Sequence, residues 1–308
     1  MIKYINKINE KKNIFKDDIS YVEQWDFSRA NLNEESRIEA ITQVASVCYA
    51  NPNVIGKESL YNRLKAESMG LPSSSFEFVP VLLTQEQATL INRAWQNSSS
   101  DIQTDNYPNT VKYSEIISDK NDNIMILTNY RALLSDYEVF KDYLDEDITQ
   151  WFNTEEECNI IKDNFKVFLS KLDVVTRTQY IRHRVNWQEL SRRYVSGKKV
   201  DFEFYITDGM KNVNIKYYTD ELPNGSPDID SYELMDMCLA FYFEALKQGV
   251  QPQEARRILP QAMYSTLWSA WYPKQLDNFF NLRLDKHAQQ EIRWLAEAKK
   301  ELLNATII

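Results

Sequence analysis

The sequence predicts an α+β fold, helix-rich and with a small, mostly antiparallel sheet. Three observations carry this reading. Only six glycines occur in 308 residues, and proline-rich breaks are few, which favours long helices. Apolar residues recur at helical spacing in the second half of the chain. Strand-like segments, in contrast, are short.

In chain order, strands are expected at residues 76–83 and 123–127, with a loop at 97–107 between them. The acidic, aromatic stretch 136–168 reads as helix, and 202–206 and 214–218 as strands. The clearest helix is expected at 232–248: Ser231 can cap it, Leu234, Cys238, Tyr242, Ala245 and Leu246 recur on one face, and Gly249 ends it. A further helix is expected to begin at Pro252 and stop near Pro260. A long one is expected at 275–303, with Phe279, Leu282, Ile292, Leu295 and Ala296 facing inward. No convincing repeat is present, although LTNYRALLSD at 127–136 faintly echoes a later stretch.

Composition removes several classes of function. A formal net charge of -9 argues against nucleic acid as the general partner, because such proteins carry basic faces. No apolar run approaches the roughly 20 residues that span a bilayer, and the basic N-terminus lacks an apolar core. The simplest expectation is a cytoplasmic protein that uses no membrane. Cys48, Cys158 and Cys238 are odd in number and far apart, and His183 and His287 are the only histidines. Neither a disulfide framework nor a metal centre is expected.

One segment stands apart. Residues 177–199 hold Arg177, Arg182, Arg184, Arg192, Arg193, Lys198 and Lys199 but a single acid, Glu189. A cationic island in an acidic chain repels itself unless an anion neutralises it, and arginine suits bidentate phosphate contacts. If 189–193 form a turn of helix, backbone N–H groups near Ser191 would add to a phosphate cradle. The plainer alternative is a solvated basic face paired with the acids near 155–163.

Order and spacing favour the first reading. Arg182-His183-Arg184, then VNWQEL, then Ser191, Arg193 and Tyr194, with Gln179 upstream, resembles the signature of the flavin-dependent thymidylate synthases (ThyX). FEFYI (202–206), QEARRILP (253–260), NFFNLR (278–283) and HAQQEIR (287–293) resemble later blocks of that family in order, and ASVCYAN (45–51) and FEFVPVLL (76–83) its N-terminal elements. The resemblance implies a ThyX-like fold over a single domain, 1–308, with a family-atypical insertion at 84–165.

It also implies an activity: reductive methylation of dUMP to dTMP, with methylene-tetrahydrofolate as carbon donor, FAD supplying hydride and NADPH as reductant. A homotetramer with shared active sites is implied too. Arg283 would be catalytic, stabilising negative charge on the uracil ring. Gln179, Arg182, Glu189, Leu190, Ser191, Arg192, Arg193, Arg256 and Arg283 would bind dUMP. Arg182, His183, Arg184, Glu189, Lys274 and Asn278 would contact FAD. Ser191, without a partner base at suitable spacing, is expected to hydrogen-bond rather than attack. Trp187, Tyr194, Trp268, Trp271 and Tyr272 would stack on rings or pack in the core.

The chain departs from the family pattern at four places. A flavin-contacting histidine is replaced by Phe78, and an Asn-x-Arg by Tyr272-Pro273-Lys274. The signature is one residue short, and Gln188 stands where Asn or Ser is usual. The alternatives kept open are a related one-carbon transfer, such as hydroxymethylation of a pyrimidine nucleotide, and a non-catalytic nucleotide-binding paralogue.

Overall fold

The computed structural model describes residues 4–66, 72–98, 107–118, 122–197, 199–216 and 228–305. In chain order the elements that position the site are β1 (Tyr21–Asp26), α1 (Glu34–Tyr49), β2 (Pro80–Thr84), β3 (Glu115–Ser118), β4 (Ile124–Asn129), α2 (Tyr130–Phe140), β5 (Lys166–Asp173), α3 (Val174–Tyr180), β6 (Asn186–Glu189), α4 (Ser231–Lys247), β7 (Tyr264–Trp271), α5 (Pro273–Arg283) and α6 (Gln290–Ala305).

β5 and β7 pair antiparallel along their whole length, from Lys166 opposite Trp271 to Asp173 opposite Tyr264. β1 joins the outer edge of β5 and β6 that of β7, both antiparallel. Two short strands, Asn6–Lys7 and Lys12–Asn13, complete this sheet along β1. Successive side chains alternate between its faces. Val167, Leu169, Trp268 and Ala270 enter one hydrophobic cluster with α1. Phe168, Leu172, Leu267 and Trp271 enter another with Phe279, Ile292, Leu295 and Ala296 of α5 and α6. Both faces are therefore covered, and the two central strands are buried almost throughout.

The region expected as an insertion folds against this body. β2, β4 and β3 form a second antiparallel sheet, and α2 follows β4 directly, capped by the Asn129 side chain. Leu127, Leu133, Ile148 and Ile161 share a cluster with Ala40, Val44 and Val167. Arg37 of α1 ties the parts together. Its guanidinium is fully buried, donates to Asn31 Oδ1 (2.6 Å), Thr149 O (2.7 Å) and Trp151 O (2.6 Å), and lies 4.0 Å from the ring centroids of Tyr130 and Phe152. A buried cation is tolerated only when its donors are met in this way.

Several expectations need correction. The helix expected at 275–303 is two helices, because Asp285 accepts from the His287 backbone at 2.8 Å and turns the chain between α5 and α6. Phe279, Ile292, Leu295 and Ala296 are buried as expected, but Leu282 is 54% exposed. Residues 202–206 form no strand, only an isolated bridge from Phe204 to Met263. The 76–83 strand is a 3-10 turn, Ser74–Phe78, followed by β2. The 136–168 stretch is α-helical only at the end of α2 and at Glu155–Asn164, which a Thr154/Glu157 capping box starts, and 166–168 already belong to β5. Residues 252–258 form one short α turn and one 3-10 turn. Of the 214–218 strand, Ile215–Lys216 pairs with Asp228–Ile229; residues 217–218, Lys198 and most of the 97–107 loop lie outside the described residues.

α4 is the most instructive correction. Asp230 caps it rather than Ser231, and of the expected inward face only Tyr242 is buried. Tyr232, Leu234, Met237, Phe241 and Phe243 are all exposed on it. The helix is apolar on several sides at once.

Candidate active site

The cationic island does not stay together. It divides between two pockets at opposite ends of β6.

The first pocket, about 420 Å³, is lined by Arg177, Glu189, Leu190, Ser191, Arg192 and Arg256 among others. Glu189, the last residue of β6, receives Arg177 (2.7 Å) and the Ser265 hydroxyl of β7. The acid is thus fixed by one charged and one neutral donor from two elements. Leu190 N donates to Thr266 O (2.8 Å) and Ser191 N to Cys48 O (3.1 Å). These backbone groups are already used, so the phosphate cradle expected there does not form from them. Arg192 is buried: its guanidinium donates to Val200 O (3.2 Å) and Asp201 O (3.4 Å) and lies 4.4 Å from the Phe202 ring, while its Nε has no partner. Burial pulls its pKa below the usual arginine value. Arg193 is exposed beside Tyr194 and does not line this pocket.

The second pocket, about 490 Å³, is lined by Arg182, His183, Arg184, Val185, Lys274, Gln275, Asn278, Leu282 and Arg283. At its base Arg283 Nε donates to His183 Nε2 at 3.0 Å, and a second guanidinium nitrogen donates to Gln179 O at 3.1 Å. His183 is 7% exposed and sits edge-on to Phe279, with centroids 5.0 Å apart. Burial first, then Arg283 and Lys299, draw its pKa down to about 4. The imidazole is therefore neutral at neutral pH and accepts through Nε2, which places its hydrogen on Nδ1. Burial and the neighbouring Arg182 draw Arg283 below the usual arginine value. Two guanidiniums facing one cavity in this way favour an anionic or acceptor-rich occupant.

Beneath this pocket lies a residue that no motif marks. Lys299 is fully buried, donates to Tyr180 Oη at 2.6 Å, and lies 4.0 Å from the Phe168 and Trp271 ring centroids. Burial holds its pKa well below the ordinary lysine value. Its position was readable: it stands four residues after Leu295 and three before Leu302, on the apolar stripe of α6.

Of the remaining expected residues, Lys274 is exposed and ion-paired with Glu115 of β3. The Gln179 side chain turns to Gln289, away from either pocket, and contributes its carbonyl instead. Phe78 is fully buried against Phe27 in the core, so this position faces no cavity. Trp268 and Trp271 are fully buried core residues, Tyr272 is 8% exposed, and Tyr194 is 53% exposed against Tyr49. The residues expected to bind dUMP are not gathered in one cleft within the chain: the two pockets share no lining residue.

Fold and pockets define a helix-rich α+β protein with two arginine-lined pockets joined by one strand. Residues 162–307 match the family model described as thymidylate synthase complementing protein. The flavin-dependent thymidylate synthase of Thermotoga neapolitana is 31% identical over 134 residues, 42% of this chain and 57% of that one. That of Aquifex aeolicus is 31% identical over 160 residues, 50% of each, and that of Thermosipho africanus 34% identical over 137 residues, 42% of this chain and 58% of the other. The chain thus spans about half the length of the curated relatives it matches. Among solved structures, a UMP/dUMP methylase PolB from Streptomyces cacaoi bound with 5-Br UMP is 21% identical with a TM-score of 0.36, covering 46% of this chain and 69% of that one. Among the described residues, no helix is long and apolar enough to cross a membrane, and no group of metal-ligating side chains occurs.

Proposed function

We propose that this protein is a flavin-dependent thymidylate synthase that methylates dUMP to dTMP, with its active site shared between copies of the chain in a homotetramer. The observation that carries the reading is the pairing of Arg283 with a neutral His183 beside Arg182. The guanidinium keeps its full charge, because its partner accepts a hydrogen bond without neutralising it. The family match over 162–307 and the similarity to named flavin-dependent thymidylate synthases support the same reading.

Each residue then has a defined task. Arg256 and Ser191 in the first pocket hold the nucleotide's phosphate and sugar, with Glu189 orienting them. Arg283 stabilises the negative charge that develops on uracil as its N3 proton leaves, which makes the ring a better carbon nucleophile. Arg182, Arg184 and Lys274 are donors only, and Asn278 adds an amide that can donate as well as accept, which fits the acceptor-rich edge of a flavin. A bound reduced FAD would supply the hydride, with NADPH as reductant and methylene-tetrahydrofolate as carbon source. Because the two pockets are separate within one chain, the first pocket of one copy faces the second pocket of another. The exposed Phe241, Phe243, Met237 and Leu234 of α4 give those copies an apolar surface to bury.

The test is incubation of the protein with FAD, NADPH, methylene-tetrahydrofolate and dUMP. Formation of dTMP is expected. A hydroxymethylated product, or no product from a protein that retains flavin, would refute the assignment.

A further inference from the structure

A hydrogen-bonded chain crosses the core beneath the second pocket. Lys299 Nζ of α6 donates to Tyr180 Oη of α3 at 2.6 Å, and the phenol lies 2.9 Å from Ser269 Oγ of β7. Ser269 Oγ in turn donates to Phe168 O of β5 at 3.5 Å. Because the amine donates to the phenol, the phenol hydrogen goes to Ser269, and the chain has one direction. All four residues are fully buried.

Apolar packing does not need an amine here. Nζ is walled by the rings of Phe168, Tyr180, Trp271 and Phe279, with centroids 4.0 to 5.1 Å away. A methionine would fill the same space without desolvating a polar group. What the amine adds is direction. A polar chain in a low-dielectric core selects one arrangement of the groups it joins, where apolar contacts accept several.

The group selected here is the end of α3. Tyr180 O accepts from His183 N at 3.2 Å, and the preceding carbonyl, Gln179 O, accepts from Arg283 at 3.1 Å. The Tyr180 ring stands edge-on to Trp187, centroids 4.6 Å apart, and Trp187 Nε1 donates to His183 O at 3.1 Å. Phe279 packs on both Tyr180 and His183. Backbone and side chain of Tyr180 thus both bear on the His183–Arg283 pair.

We propose that Lys299 is a positioning residue: by holding the Tyr180 phenol it fixes the end of α3, and with it the alignment of Arg283 on His183. Lys299 lines neither pocket, so it acts only through other residues. The alignment is a property of the chain alone; its effect on turnover rests on the function proposed above. The titratable groups that face His183 are Arg283 of α5, Lys299 of α6 and Tyr180 of α3. Alignment and bare charge therefore have to be told apart.

The chain holds two histidines, so imidazole nitrogen NMR of the full chain, with His183→Gln to assign the signals, reads His183 directly. In Lys299→Met, and equally in Tyr180→Phe, which keeps the amine, His183 Nε2 loses the shift of a hydrogen-bonded acceptor. Its proton affinity rises about tenfold as Arg283 moves off. Both variants lower kcat about tenfold with KM nearly unchanged, as misalignment of a charged donor does, although Lys299→Met is no less stable than the parent. The double variant is no slower than the slower single one, because both changes break one chain. A His183 signal that shifts in Lys299→Met but not in Tyr180→Phe means that charge alone acts, and overturns the proposal. So does a signal unchanged in both, or a double variant that shows the product of the single losses. If Tyr180→Phe does not fold, Ser269→Ala removes the phenol's acceptor and reads the same link. A parent that forms no dTMP while His183 responds as described defeats the proposed function and leaves the positioning intact.

Discussion

Arg283 and His183, 100 residues apart, are joined by a single hydrogen bond of 3.0 Å from Nε to Nε2. Together with the bond to Gln179 O it fixes the guanidinium, which lines the second pocket. It requires His183 to stay neutral, and burial with two nearby cations keeps it so.

Arg283→Ala is expected to lower kcat by roughly two to three orders of magnitude, the effect of removing one aimed donor from a charged transition state. Thermal unfolding should change little, because the side chain is only partly buried. Arg283→Lys should not rescue, since an ammonium cannot bond His183 and face the cavity together. Steady-state kinetics beside a melting curve checks this; near-normal kcat in the alanine variant would exclude Arg283 as the activator.

His183 also sets an acid limit. Its ordinary value of 6.5 falls to about 4 in the folded chain, so the unfolded chain binds the extra proton first as pH drops. Stability should be full above about pH 6.5 and decline toward pH 4, by at most about 3 kcal/mol from this one group. His183→Gln keeps an acceptor and should flatten that part of the profile while retaining part of kcat; His183→Ala should lose kcat with little change in KM. Denaturant unfolding across pH 4 to 7 reads the first effect.

Lys299 is a cost to the fold. Its amine is buried among Phe168, Tyr180, Trp271 and Phe279 with one oxygen partner. A lysine whose pKa is lowered by folding destabilises most at low pH, where the unfolded chain holds the proton. Lys299→Met should therefore raise stability at pH 7 by about 1–3 kcal/mol, since desolvation of an amine is removed and volume is kept. A lower melting temperature would show instead that the amine is a needed partner of Tyr180.

The exposed apolar side chains of α4 should govern assembly. Phe241→Glu is expected to convert the proposed homotetramer to smaller species in light scattering, without loss of helix by circular dichroism. An unchanged mass would place the interface elsewhere.

What could be read from the sequence followed the range of each interaction. The α4 span and the buried positions of α6 were legible, because periodicity is local. The inward face of α4 was not: a helix apolar on several sides gives no sign of whether its own chain or another covers it. The 275–303 reading failed at Asp285, where one short side chain competes with the helix for a backbone N–H. Charge marked Arg182 and Arg192 as one island. Only β6 separates them, by carrying the chain from one pocket to the other. Nothing local links Arg283 to His183, Lys274 to Glu115, or Lys299 to the cage of rings around it.

The central claim is that two separate pockets become one pyrimidine nucleotide site when copies meet. Arg256→Ala should weaken dUMP binding about tenfold to a hundredfold, as loss of a charged hydrogen bond does, and at limiting dUMP it should be nearly inactive, as Arg283→Ala is. Co-assembly of these two variants creates some sites with both arginines intact. Recovery of dTMP formation well above either variant alone is the predicted result. A mixture no more active than its components, in particles shown to contain both chains, would contradict the shared site.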